Sequence, residues 1–182
     1  MKILCYQIAL SFTIASLPLQ PTLAQPQHLD VAFYCGRVQI QDSGERKMMP
    51  ATVVQVKGTE GERTLVVWKN GFKNMSPLER CETVSKRFQA AWQRGDFKKF
   101  APQSNNKNGL GILCALSFQG KACTEKDILF TVKNANEANK IVADLYQSLQ
   151  NATVGRPIYQ SSSSQSIDMQ ELINGISNST DK

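Results

Sequence analysis

Ser76-Pro-Leu-Glu-Arg-Cys-Glu-Thr-Val-Ser-Lys-Arg-Phe-Gln-Ala-Ala-Trp-Gln-Arg-Gly95 carries a start, a stop and a buried face for a single helix. Ser76 can accept from an orphan backbone N–H as an N-cap. Pro77 falls at the first helical position, where its missing N–H costs nothing, and Glu79 completes a capping box. Gly95 supplies the left-handed stop. Leu78, Cys81, Val84, Phe88, Ala91 and Trp92 recur at steps of three and four, one side of a 3.6-residue period, so Cys81 points into the core.

Outward from this helix toward the N-terminus, residues 51–57 and 64–69 read as a hairpin of β-branched strands around a polar turn at 58–63. Asn70-Gly71 then hands the chain to Phe72 and the helix. Residues 31–35 have strand character, with Phe33 and Cys35 on one face. Residues 36–50 are polar and contain glycine, and the expectation there is a loop.

Toward the C-terminus, Phe97 and Phe100 are expected to pin a turn or short helix to the core. Residues 105–109 read as a polar loop. Residues 111–118 form an apolar strand carrying Cys114, Gln119-Gly120-Lys121 turns the chain, and residues 128–133 form another strand. Asn134 can cap a second helix with Glu137 in its third position, burying Ala138, Ile141, Val142, Leu145 and Leu149. About five strands and two helices in this order predict an α+β fold: two layers, a mainly antiparallel sheet packed by two helices.

The chain of 182 residues reads as opening on a leader. Lys2 is followed by an apolar run from Ile3 to Leu19, proline breaks it, and Thr22-Leu23-Ala24 offers small residues for a peptidase. The run is shorter than the roughly 20 residues of a membrane span, so a cleaved signal peptide over residues 1–24 is expected rather than an anchor. Residues 25–30 read as a flexible arm containing His28, the only histidine in the sequence. The domain is placed at residues 31–158. Residues 159–182 read as a serine-rich linker and tail; within them 166–175 can form a short helix with Met169, Leu172 and Ile173 on one side, too short to be stable alone.

Cys5 departs with the leader, which leaves Cys35, Cys81, Cys114 and Cys123. An even number in an exported chain implies two disulfides. Three pairings exist. Cys35–Cys81 with Cys114–Cys123 is favoured, because the second pair can bridge a local hairpin. A zinc site of four thiolates is the rival, but no Cys-x-x-Cys spacing is present.

Lys and Arg number 21 against 15 Asp and Glu. Without Lys2 the mature chain has 20 against 15, a net +5. Lys86, Arg87, Arg94, Lys98, Lys99 and Lys107 face only Asp96 between residues 86 and 107, so this one window carries the whole excess. Arg80, Arg87 and Arg94 are spaced seven apart, beside the apolar stripe of the helix. Such a row can grip a phosphate or carboxylate, or it can pair within the fold.

Phe33-x-Cys35, Pro50-x-Thr52, Trp68 with Phe72, Pro77-x-x-Arg80-Cys81-Glu82-x-Val84-Ser85-x-Arg87-Phe88, Asn108-Gly109, Cys114-Ala115, Cys123 and Leu129-Phe130-Thr131-Val132 occur in order. In these residues the chain resembles the circadian oscillating polypeptide family of cyanobacteria, from about Phe33 to Pro157. The resemblance implies an exported cyanobacterial protein at the envelope or loosely on a membrane. It implies no established activity and carries over no catalytic residue.

Enzyme chemistry finds little support in the residues. Nucleophile–histidine catalysis has only His28, in the arm. Carboxylates are sparse, and no P-loop, dinucleotide fingerprint or EF-hand pattern is present. No cofactor and no metal are expected. The expectation is a non-enzymatic domain that binds an anionic membrane surface or envelope polysaccharide through Arg87, Arg94, Lys98 and Lys99. The alternative is a protein-interaction module or protease inhibitor using a disulfide-braced loop such as 119–126; a hydrolase of unknown class is the third reading. Nucleic acid is a poor partner for an exported chain whose basic window lacks interleaved exposed aromatics. The expected location is periplasmic, envelope-associated or extracellular, with no transmembrane segment in the mature chain.

Overall fold

The computed structural model describes residues 30–59, 62–104, 108–152 and 166–177. The leader, the arm with His28, Lys107 and the serine run lie outside the described residues, as does the side chain of Leu149. Seven strands, β1 (Val31–Asp42), β2 (Glu45–Val56), β3 (Glu62–Val67), β4 (Lys99–Ser104), β5 (Gly111–Leu116), β6 (Ile128–Val132) and β7 (Ile167–Asp168), combine with helices α1 (Pro77–Gln93), α2 (Ala135–Ala152) and α3 (Met169–Ser177). The class is α+β. The strands form two antiparallel sheets rather than one: β1-β2-β3 and β6-β5-β4-β7.

Helix α1 begins as its residues dictate. Ser76 Oγ accepts from the Glu79 N–H at 3.3 Å, and the Glu79 carboxylate accepts from the Ser76 N–H at 2.8 Å. Gly95 adopts φ +75° just past the end. Cys81, Val84, Phe88 and Ala91 are buried, whereas Leu78, in the first turn, is 44 % exposed. Helix α1 packs on β1, β2 and β6, α2 on β4, β5, β6 and β3, and α3 on β2 and β7. All three helices and both sheets feed one core. Through it runs an aromatic chain: Phe33–Phe88 at 5.6 Å between centroids, Phe88–Phe100 at 5.7 Å, and Trp68 edge-on to Phe130 at 5.1 Å.

Three sequence expectations are corrected. Residues 36–50 are not a loop but the distal half of a long β1–β2 hairpin closed by Ser43-Gly44, at φ 52° and 86°. Two consecutive positive φ values suit the right-handed twist of the strands. Polar residues alternating with Val38 and Ile40 disguise the strand. Residues 99–104 are strand β4 rather than a turn or short helix. Pro102 is tolerated there because, among the described residues, β7 pairs only with Lys99 and Phe100, so no described strand needs an N–H from Pro102 on that side. The domain also does not end at residue 158. Met169, Leu172, Ile173 and Ile176 of α3 are all buried in the main core, and β7 extends the second sheet. A helix too short to stand alone is held by the apolar surface it buries.

Both expected disulfides are present. Cys35–Cys81 ties β1 to α1 with a Cα separation of 5.4 Å, and Cys114–Cys123 ties β5 to the following loop at 6.1 Å. They use all four thiols, so the four-thiolate metal site is excluded. Among the described residues no helix is long and apolar enough to cross a membrane.

Candidate functional site

The arginine row turns inward to a strand edge. Among the described residues strand β6 pairs only with β5, so its other edge offers carbonyls without strand partners there. Arg80 Nη2 donates to Thr131 O at 3.2 Å, and Arg87 Nη1 donates to Leu129 O at 3.0 Å. Arg94 Nη2 reaches Lys126 O at 3.4 Å, while its Nε lies 3.5 Å from an Asp96 carboxylate oxygen. Arg80 and Arg87 cap an edge that would otherwise recruit another strand, and Arg94 ties down the turn just before it.

Of the four cations read as a binding patch, Arg87 and Arg94 therefore already serve the fold, although both stay exposed. Lys99 is paired with Asp168 of β7 at 2.8 Å. Its neighbour Lys98 is exposed and has no ion pair among the described residues. Arg87 lies in the middle of α1, Arg94 just past its end, Lys98 just before β4 and Lys99 at its start, and among the described residues only Lys98 of the four is uncommitted.

Arg80 also stands at a cleft between β3, β6 and α2. Its guanidinium lies 4.6 Å from the Trp68 ring centroid and 5.3 Å from that of Phe72, and donates to Asn70 O at 3.1 Å. Burial pulls its pKa down while Glu137 opposes the shift. The cleft holds about 420 Å³, with Phe130, Val132, Ile141 and Leu145 among its walls. No sequence motif marked it, because its lining comes from four separated segments.

The second disulfide braces a loop over the outer face of the second sheet. There Ala101, Ile112, Cys114 and Leu116 form a small apolar cluster against Cys123. Gln103 of β4 clamps the loop with its amide: Nε2 donates to Lys121 O at 2.8 Å, and Oε1 accepts from the Cys123 N–H at 3.0 Å. Lys121 lies 3.4 Å from the buried carboxylate of Asp127. The same carboxylate accepts from the Thr124 hydroxyl at 2.6 Å and its N–H at 3.2 Å. Burial alone would raise the Asp127 pKa, but the Thr124 hydrogen bonds and Lys121 outweigh it and hold the carboxyl below its usual range.

At the tip Phe118 is 61 % exposed. Gly120 at φ +84° shapes the turn, with the Lys121 N–H facing Phe118 O at 3.5 Å. The apolar run 111–118 predicts Phe118 inside a strand; strand β5 stops at Leu116, and the Gln119-Gly120 turn signal marks why Phe118 stands outside it.

This architecture falls in a known group. The family model described as "Circadian oscillating protein COP23" matches residues 32–174, which includes β7 and most of α3. The chain belongs to the COP23 circadian oscillating protein family. No curated protein and no solved structure matches it.

Proposed function

We propose that this is a non-enzymatic, exported interaction domain that binds a protein partner through the Cys114–Cys123 loop, with Phe118 as its anchor. The observation that carries the reading is the bracing. A disulfide, the Gln103 clamp and the Asp127 contacts hold a loop whose tip is a large exposed aromatic. Pre-ordering a loop removes entropy that binding would otherwise cost, and exposed aromatics are frequent anchors. The turn at Phe118–Lys121 differs from the extended strand a protease cleft accepts, so an interaction module is favoured over an inhibitor. Disulfides favour an oxidising compartment, which supports export.

A photo-crosslinking amino acid at position 118, in the producing cell, is expected to capture one discrete protein. The same group at Lys140 on α2 is expected to capture none. Equal or absent capture at the two positions would overturn this reading.

The anionic-surface reading is supported by Lys98 together with Lys86, both exposed and without ion pairs among the described residues. It calls for co-sedimentation with anionic vesicles that fades with salt and is lost in Lys86→Glu/Lys98→Glu. Binding unchanged in that variant, or absent at low salt, would remove it.

A further inference from the structure

Strand β1 has an outer edge that is covered at one end and open at the other. At Phe33 the outward N–H donates to Gln89 Oε1 of α1 at 2.7 Å. Cys35 is tied to α1 by its disulfide. Farther along, Arg37, Gln39 and Gln41 are exposed, and β1 pairs with no strand other than β2 among the described residues.

The parity of the hairpin is fixed by two bonds. Asp30 O accepts from the Lys57 N–H at 2.8 Å, so even residues of β1 face β2. The Phe33 bond shows that odd residues face outward. Backbone N–H and C=O groups of Arg37, Gln39 and Gln41 therefore point away from the hairpin.

We propose that this edge pairs with the same edge of a second copy of the chain, antiparallel, about a two-fold axis at Gln39. Outward-facing residues must oppose one another, which limits the axis to whole-residue positions. An axis at Arg37 opposes two arginines, and an axis at Ile40 sets Val38 against Asp42. An axis at Val38 sets Ile40 against Gly36.

At Gln39, Val38 meets Ile40 of the other copy, Ile40 meets Val38, and Arg37 meets the neutral amide of Gln41. Apolar residues then oppose apolar ones, and no like charges face each other. On the same face Met49 lies directly across the hairpin from Val38 and Lys47 across from Ile40, so the pairing joins Met49, Val38 and the opposed Ile40 in an apolar strip over three strands that ends on Lys47. The paired edges exchange about six backbone hydrogen bonds. The interface is small, below the ~1,200 Å² of stable complexes, so association is weak and concentration-dependent.

Sedimentation equilibrium of the whole protein over a concentration series tests this. The wild-type mass is expected to climb toward twice the monomer value. Gln39→Pro removes only an outward N–H and is expected to weaken association at least about tenfold. A wild-type protein that stays monomeric to its solubility limit, or a folded proline variant that associates equally, would overturn the proposal.

Should the proline variant fail to fold, register decides instead. Under mild oxidation Gln39→Cys is expected to form a disulfide-linked dimer, because opposed hydrogen-bonded residues have Cα atoms about 5.5 Å apart. Gln41→Cys, opposite Arg37, is expected to form little. Crosslinking at neither position, or equally at both, would refute the pairing.

Discussion

Arg87 Nη1 and the carbonyl oxygen of Leu129 lie 3.0 Å apart, joining the middle of α1 to the open edge of β6. A charged donor to a carbonyl contributes more than a neutral one, though this arginine is exposed and partly screened. Arg87→Ala is expected to lower stability by about 1 kcal/mol in urea denaturation. Amide exchange along β6 should rise in the variant before exchange in β2 does.

Thr52 is the hub of a buried polar set. Its Oγ1 accepts from Trp68 Nε1 at 3.0 Å and from Ser85 Oγ at 3.0 Å, linking β2, α1 and the residue just past β3. Thr52→Val keeps the shape and strands both donors, so a loss of about 1–3 kcal/mol is expected by denaturant midpoint.

The two disulfides should differ in effect. They join residues 46 and 9 positions apart, which on loop-closure entropy stabilise by about 4 and about 3 kcal/mol. Cys35→Ala/Cys81→Ala is expected to cost more in thermal unfolding than Cys114→Ala/Cys123→Ala. The second pair should instead loosen the Phe118 loop, read as faster proteolysis there with the core intact.

Asp127 ties stability to acid. Its folded pKa is depressed, so the unfolded chain binds the proton more readily, and the contribution is complete above the unfolded value. It is lost as pH falls from about 4 downward through the folded pKa. Asp127→Asn is expected to be less stable at neutral pH and to show a smaller further loss on acidification. An unchanged acid slope would remove Asp127 from that role.

Much of this fold was legible in the residues. The α1 cap, both disulfides and the β5–β6 pair are local or nearly so, and their signals lie within short windows. The distal hairpin was hidden because Arg37, Gln39, Gln41 and Arg46 face solvent, so composition resembled a loop. Strand β4 was hidden by Pro102, a residue that central strands rarely carry. The role of the arginine row was visible as spacing but undecided, since the carbonyl that Arg87 finds belongs to a strand more than forty positions away. The Arg80 cleft was illegible for the same reason: Trp68, Phe130 and Leu145 meet only through tertiary packing.

Helix α3 closes the core from the far side of the fold in chain order, with Ile173 fully shielded from solvent. Its partners on β2 and β7 are made long before or just before it. A ribosome that delivers this chain N-terminus first therefore hands over an unfinished apolar surface until α3 is out. A nascent chain stalled at residue 165 would lack the four buried side chains of α3 and present the surface they cover, a substrate for chaperones and proteases rather than a smaller version of the domain.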